Sequence, residues 1–421
     1  MTLAATFRSL HVRNFRLFVF GQIISATGTW MQGVAAPWLV LTLTGSGVAL
    51  GIDTALQFLP ILLVGAWGGL IADRFDNRRV LILCQIAFAV PAFALWILVA
   101  THVVQVWMVY GLSFLSGLVT AVDMPTRQSF YLEMVGREDL TNAMSLTTAT
   151  FTGMRMIGPV LAGILIPVVG TAPVFLINGI SYVAVVVALL AMRPAELHAR
   201  PRAPRAPGQI REGIRYVWRT PALRLPMLTM LAVFLFAFNF TVLLPLLAVR
   251  DLRGGAGTFG SLLALFGVGS LAGSLFMASR AAQPNPRRLS VLAVVLGVLS
   301  LALAAAPTLP VAWLIMAPLG FAGIAFAITG NSTLQLTSAA DRRGRVMSLY
   351  TVVFLGSTPI GGPIAGWVGE HLGARVGFAA GGAVAVATGL IALGMLLRAR
   401  PPRVAEDKQI AAAPVVKDAT G

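Results

Sequence analysis

The chain has 421 residues and a formal net charge of +16, yet only 11% of its residues are charged and 57% are apolar. Soluble domains carry about 25% charged residues, so this composition excludes an ordinary soluble protein and indicates one that lies in a lipid bilayer. One cysteine and four scattered histidines exclude a disulfide framework and a metal cluster, and no glycine-rich phosphate loop with a lysine occurs. We therefore expect neither enzymatic chemistry nor a cofactor.

Long apolar runs follow one another along the chain, and a helix needs about 20 apolar residues to cross a bilayer. Four of the runs are long enough for two helices, and each has a turn signal in its middle, at residues 44–47, near His102, at 170–173 and at 307–310. The pattern predicts twelve transmembrane helices, which we call spans 1 to 12. They are expected to begin near residues 15, 48, 80, 104, 141, 173, 226, 257, 289, 310, 346 and 376.

The basic residues test this count, because Lys and Arg gather in the cytoplasmic segments of membrane proteins. The N-terminus, every second loop and the C-terminal tail together hold 27 of the 31 Lys and Arg residues. The sequence therefore predicts a multi-pass protein of the inner (cytoplasmic) membrane with both termini in the cytoplasm. The basic charge then faces anionic lipid headgroups, so we expect the bilayer and not nucleic acid as a partner.

The two halves of the chain resemble each other at an offset of 203 residues, which aligns Met-Ser-Leu at 144–146 with 347–349 and Ala-Gly at 162–163 with 365–366. Parallel six-helix repeats of this kind build secondary transporters, whose sites lie between the halves. The predicted fold is an all-α membrane protein with twelve transmembrane helices in two six-helix pseudo-symmetric bundles. The bundles are expected at residues 1–192 and 226–398, followed by a disordered cytoplasmic tail at 399–421.

The longest predicted loop, at residues 193–225, is a cytoplasmic linker between the two bundles. It opens on a Pro- and Arg-rich stretch and continues at 210–219 as a basic amphipathic helix. Ile214, Val217 and Trp218 fall on one side of this helix, which we expect to face lipid.

The segment at 69–79, Gly-Leu-Ile-Ala-Asp-Arg-Phe-Asp-Asn-Arg-Arg, resembles the signature loop of the major facilitator superfamily. That loop has a second Gly where Asp76 stands here, and Asp also tolerates the positive φ that a turn requires. The segments at 125–128, 158–163 and 342–348 resemble the drug/proton antiporter branch, which includes macrolide-efflux and enterobactin exporters. This resemblance covers residues 7 to about 398 and implies export by alternating access.

Asp73 lies at the C-terminus of span 2, where a carboxylate opposes the helix dipole and needs a partner. The repeat places the first turn of span 11, at residues 344–348, on the same face of the membrane, where its free N–H groups would bind the carboxylate. The resemblance supports a cytoplasmic gate here, whereas the arginines alone fit topology charges. The predicted gating residues are Gly69, Asp73, Arg74, Arg78 and Arg79.

Arg155 falls in the middle of span 5, where a charge costs roughly 3 kcal/mol on insertion scales and should have a partner. Asp53 in span 2 and Asp123 at the end of span 4 are rival partners, and the sequence does not choose between them. A structural ion pair is one interpretation, and substrate binding or proton coupling is the other. Arg127, in a segment that carries the resemblance, completes the predicted coupling or substrate set with Asp53, Arg155 and Asp123.

Polar residues recur on single helical faces of spans 1 and 4, and they should turn away from lipid. They either form hydrogen bonds between helices or line a cavity, and the resemblance places spans 1, 4, 7 and 10 around one. The predicted cavity residues are Gln22, Ser25, Thr29, Gln32, Tyr110, Ser113, Asn239 and Asn331. The aromatic residues of spans 1 and 7 are expected mostly to face lipid or the membrane interface, with one or two of them lining the pocket. They are Trp30, Trp38, Phe234, Phe236, Phe238 and Phe240.

Together these features predict a secondary active transporter that exports a small, moderately hydrophobic molecule, such as a drug, a siderophore or a metabolite. Protons are the expected coupling ion and a monomer is the expected unit. An importer or a lysophospholipid-type flippase on the same scaffold is the alternative.

Overall fold

The computed structural model describes residues 7–198, 209–279, 285–339 and 342–398, and these residues form helices joined by short turns. A single turn at Arg8–His11 precedes span 1. The spans have the following bounds: span 1 Arg13–Thr44, span 2 Gly47–Arg74, span 3 Asn77–Ala100, spans 4 and 5 together Val106–Val169, span 6 Ala172–Leu190, span 7 Pro221–Phe236 with Phe240–Leu246 and Leu247–Asp251, span 8 Ala256–Ala278, span 9 Pro286–Ala305, span 10 Leu309–Thr337, span 11 Arg343–Gly356 with Thr358–His371, and span 12 Ala374–Arg398.

Ten of the described helical segments are long and apolar enough to cross a membrane, and one of them counts twice. Val106–Val169 has 64 residues, which as a straight helix would measure about 96 Å, three times the thickness of the hydrocarbon core. Its backbone leaves the helical region at Gly136 (φ 70°, ψ −174°), and the side chains of Tyr131 and Thr147 are hydrogen-bonded across that point. The chain therefore reverses at Gly136 and forms spans 4 and 5 as an antiparallel pair.

Span 1 is less apolar than these segments, but it packs against spans 5 and 6 inside the first bundle. The predicted turns also lie where the helices end: Gly45 and Gly170 have φ of 64° and 80°, and His102 has φ of 56°. The all-α fold of twelve spans in two six-helix bundles is thus confirmed.

Spans 7 and 11 are each interrupted. In span 11 the helix breaks at Ser357, because Pro359 has no N–H with which to continue the hydrogen-bond ladder. In span 7 the break falls between Phe236 and Phe240, where the Asn239 side-chain amide donates to the Leu235 carbonyl over 2.8 Å. That side chain satisfies a carbonyl that the interrupted helix would otherwise leave without a donor.

The two ends of the helix bundle differ in charge. We call the end that carries the arginine-rich turns at 74–79 and 342–345 the basic end, and the other the opposite end. The linker helix Gln209–Arg219 lies at the basic end, against the first half of span 11.

The predicted orientation of this linker helix is only partly right. Ile214 and Trp218 are exposed, as expected for side chains that face lipid, but Val217 is buried in the protein core. The Tyr216 hydroxyl accepts a hydrogen bond from the Ala339 N–H over 3.3 Å, and the Arg342 guanidinium lies 4.9 Å from the Tyr216 ring centroid. The prediction for Val217 is wrong because these contacts turn its side of the helix toward the second bundle. The rest of the linker at 199–208 and the tail from 399 lie outside the described residues.

Candidate functional site

At the opposite end the two bundles touch through glycines. A Cβ on Gly51 of span 2 would lie 2.6 Å from the carbonyl oxygen of Gly362 in span 11, and one on Gly260 of span 8 would lie 2.7 Å from Cα of Gly163 in span 5. Real side chains do not tolerate such distances, so the two helix pairs meet backbone to backbone. These contacts close the space between the bundles at this end.

A polar cluster, which we call the opposite-end latch, joins the bundles above these glycines. The Glu370 carboxylate, at the end of span 11, accepts hydrogen bonds from the Ser46 hydroxyl over 2.5 Å and the Val48 N–H over 2.8 Å. It thereby caps the N-terminus of span 2, where a negative charge is favoured. Arg250, at the end of span 7, donates to the carbonyl groups of Gly45 and Glu370 over 2.7 and 3.2 Å.

Toward the basic end, spans 5 and 11 expose rows of hydroxyl groups. Thr141, Ser145 and Thr148 of span 5 and Ser348 and Thr351 of span 11 are all exposed. Hydroxyl side chains are a poor match for lipid and face water or protein instead. Four of these hydroxyls donate to carbonyls of their own helix, so their exposure is the observation that matters. It indicates a water-accessible cleft between the bundles at the basic end, whereas the glycine contacts close the opposite end.

Asp123 and Arg127 form a charged centre on the wall of the first bundle. Arg127 donates twice to Oδ2 of Asp123, over 3.0 Å from Nε and 2.6 Å from a terminal nitrogen. Gln85 of span 3 donates to the other Asp123 oxygen over 3.0 Å, and Arg127 also donates to Gln22 of span 1. Asp123 is 5% exposed, so this network links spans 1, 3 and 4 around a buried carboxylate.

Asp53 has a different partner. The Ser113 hydroxyl of span 4 donates to its carboxylate over 2.6 Å, and within the described parts of the chain no basic group lies in ion-pair distance of it. Tyr110, one turn away on span 4, donates to the Ala49 carbonyl over 3.3 Å. Asp53 is thus a buried carboxylate held by a neutral hydroxyl.

Arg155 pairs with neither predicted acid. Its guanidinium carbon lies 5.3 Å from the ring centroid of Trp30 in span 1 and 5.4 Å from that of Phe266 in span 8. Both partners predicted for it are wrong, because Asp53 and Asp123 each face a nearer donor on span 4. Contacts with aromatic faces stabilise the cation instead.

The remaining predicted cavity residues divide between two roles. Gln32 accepts a hydrogen bond from Asn178 over 2.7 Å, and Thr29 lies 3.3 Å from the Tyr182 hydroxyl, so both join span 1 to span 6. Ser25 is buried beside them. Asn331 of span 10 bonds to Tyr350 of span 11. Asn239 is buried and donates to the Leu235 carbonyl at the break in span 7.

The predicted gating loop is fixed to the first bundle. Arg78 donates to the Leu189 carbonyl over 2.7 Å, and Asp73 and Arg74 line a polar hollow together with Glu133 and His198. Gly69 is buried within span 2, whereas Arg74 and Arg79 are exposed.

The turn after this loop does not use positive φ. Asp76 has φ of −64° and accepts a hydrogen bond from the Arg79 N–H, so it caps span 3. The expectation of a left-handed turn at this position is therefore wrong, and N-capping by a carboxylate accounts for Asp in the place of Gly.

The sequence reasoning missed Gln85, Glu370 and a row of aromatic rings along the second bundle. Phe234 and Phe240 are buried within that row, contrary to the expectation that they face lipid. Gln85 was detectable as an isolated polar residue in an apolar span. Nothing in the sequence placed Glu370 beside Ser46, because their meeting depends on how the bundles sit against each other.

Comparisons with known proteins agree with this architecture. A peptide transporter structure of the POT family superposes with a TM-score of 0.74 over 92% of this chain and 94% of that one, at 14% identity. This likeness shows the fold alone. The multidrug efflux pump Tap of Mycolicibacterium fortuitum is 27% identical over 369 residues, 84% of this chain and 90% of the relative. The enterobactin exporter EntS of Salmonella paratyphi A is 24% identical over 406 residues, 91% of each chain.

A family model described as transmembrane secretion effector matches residues 4–418, nearly the whole chain. Members of this family are membrane transporters of the major facilitator superfamily and not enzymes. The chain belongs to the transmembrane secretion effector family of the major facilitator superfamily.

Proposed function

We propose that the protein is a secondary active exporter of a small, moderately hydrophobic molecule, with protons as the coupling ion. The observation that carries the proposal is the cleft between the bundles, closed by glycine contacts at the opposite end and lined by hydroxyl groups at the basic end. Such a cleft gives alternating access if bundles 1–192 and 226–398 rock against each other. One chain supplies both walls, so the transporting unit is a monomer. The printed functions of the relatives, multidrug efflux and enterobactin export, support the direction.

The experiment that tests export is accumulation of a lipophilic dye in a deletion strain and in the complemented strain, each with and without an uncoupler. We expect lower accumulation in the complemented strain and loss of that difference when the uncoupler is added. Higher dye accumulation in the complemented strain would indicate the importer, and movement of lysophospholipid instead of dye would indicate the flippase.

The basic end is expected to face the cytoplasm of a cell whose inner membrane holds the protein. The distribution of Lys and Arg supports this orientation. Reporter fusions at residues 200 and 403 should therefore give a cytoplasmic signal, whereas fusions near His102 and Arg253 should give an external one. A cytoplasmic signal near Arg253 would reverse the orientation and place the open cleft on the outside.

Asp73 and its loop are proposed to close the basic end by binding the first turn of span 11. We expect Asp73→Asn to lower export severalfold, because a neutral amide binds helix N–H groups more weakly than a carboxylate. Labelling of Ser145→Cys in the cleft, in a Cys84→Ser background, should rise at the same time. Asp76→Asn is the control, since it makes the same change at an exposed residue whose hydrogen bond to the Arg79 N–H stays within the first bundle. Equal labelling in Asp73→Asn and the control would remove Asp73 from the gate.

Asp53 is proposed to carry the coupling proton. Its partner Ser113 is neutral, so protonation breaks no ion pair, whereas protonation of Asp123 would leave the half-buried Arg127 unpaired. We expect Asp53→Asn to abolish uphill export while downhill exchange continues. The measurement is proton uptake per substrate moved in proteoliposomes. Equal uptake by the wild type and Asp53→Asn would show that another group carries the proton.

A further inference from the structure

The Arg155 guanidinium lies over the Trp30 indole toward the closed end of the cleft. Across the described ranges, the Arg155 guanidinium makes no hydrogen bond or ion pair, and it lies over two ring faces. The Trp30 indole N–H is buried and also lacks a partner within the same ranges. Buried donors are nearly always satisfied in proteins, so the Trp30 N–H, beside the half-buried Arg155 cation, indicates an acceptor that comes from outside the chain.

The position of this pair fits a substrate site. Arg155 lies two helical turns from Gly163, on the basic side of the glycine contact that closes the cleft. One turn further toward the basic end, the Phe151 ring packs against Trp30 at a centroid distance of 5.5 Å and is half exposed.

An aromatic row leads from Arg155 along the second bundle. Phe266, which contacts Arg155, lies 4.7 Å from Phe240 by ring centroids, and Phe240 lies 5.9 Å from Phe238. The row continues through Phe234 to Phe354 at centroid distances of 5.0 and 4.9 Å. Phe354 and Phe238 keep exposed surface, so flat apolar rings border the site on the side away from the cation. Aromatic faces of this kind stack on planar ligands.

Building on the proposed export function, we infer that the substrate is an organic anion with an aromatic ring, whose carboxylate binds Arg155 and the Trp30 N–H. Its ring lies against Phe238 and Phe354. The fork of guanidinium donors matches the two oxygens of a carboxylate. Asp123 and Arg127 already neutralise each other, whereas Arg155 has no ion-pair partner within the described residues and is available to the ligand.

The test uses two fluorescent probes of one shape, dansylglycine with its carboxylate and the neutral dansylglycinamide. Binding is measured by fluorescence anisotropy on the full chain in detergent. We expect the wild type to bind the carboxylate about tenfold more tightly than the amide, because hydrogen bonds to charged groups are the stronger ones. Arg155→Gln should remove this preference while binding of the amide persists, and Arg155→Lys should keep part of it. Trp30→Phe, which retains the ring, should weaken binding of the carboxylate only.

Arg137→Gln removes an exposed arginine at the basic end, about five helical turns from Arg155 along span 5, and should leave the preference unchanged. Equal binding of the two probes by the wild type would overturn the inference, as would an unchanged preference in Arg155→Gln. Transport of the probes separates this result from the proposed function. Uphill export of the amide without any preference for the carboxylate keeps the exporter and rejects the anion site. Preferential binding without movement of either probe keeps the site and rejects the exporter.

Discussion

Gly51→Ala is expected to lower transport by about tenfold or more, because the added methyl group prevents closure of the opposite end. The Cβ would lie 2.6 Å from the Gly362 carbonyl oxygen and 2.8 Å from Cα of Pro363, and backbone atoms cannot move aside as a flexible side chain can. Overpacking of this kind costs about 1–3 kcal/mol. Only the state in which these spans touch is destabilised by this amount. The measurements are the transport rate and the labelling of Thr54→Cys, which is buried beside Gly362 in the closed state.

Gly65→Ala provides the matched control, since it adds the same methyl group to the same span where nothing lies within 4 Å. It should transport and label like the wild type. Equal transport by the two alanine variants would mean that the Gly51 contact does not form during the cycle.

Arg127→Gln is expected to destabilise the protein by about 3–5 kcal/mol, because it leaves the buried Asp123 carboxylate without its counter-ion. Asp123→Asn combined with Arg127→Gln should recover most of this loss, since neither charge then remains buried. Thermal unfolding in detergent, followed by the fraction of monodisperse protein, measures both effects.

An exposed ion pair gives the comparison for this series. Arg193 and Glu196 lie 2.9 Å apart with more than 40% of each side chain exposed, and Arg193→Gln should cost only about 0–1 kcal/mol. A double variant that is as unstable as Arg127→Gln would show that the loss comes from packing around Arg127 and not from the charge on Asp123.

The fold followed from features that a single sequence displays. The lengths of the apolar runs indicated the number of spans. The turns at Gly45, His102 and Gly170 were marked by residues that break helices or accept positive φ. Even the reversal at Gly136 was implied by basic residues on either side of it. These signals are local, so no knowledge of the neighbouring helices was needed.

The contacts within the site depended on helix rotation and tilt, which hydropathy does not fix. Arg155 was predicted to find an acid, but its side chain faces span 1 and span 8, where the rings of Trp30 and Phe266 lie. One contact could have been predicted from the sequence. Asp123 and Arg127 are four residues apart on one helix, a spacing that favours an ion pair. The buried aromatic row depended on the break in span 7, which no proline marks.

The Glu370 cap has a consequence for two neighbouring amides of span 2. The Val48 N–H is bonded to Glu370 from the other half of the chain, whereas the Ala49 N–H is bonded over 3.1 Å to Ser46 of its own span. When the bundles part at this end, the first amide loses its acceptor and the second keeps it. Hydrogen exchange at Val48 therefore follows the fraction of molecules in the closed arrangement, while exchange at Ala49 follows only the fraying of the helix end. Exchange at Val48 thus reports the closed fraction, and exchange at the adjacent Ala49 is its internal reference, without any added label.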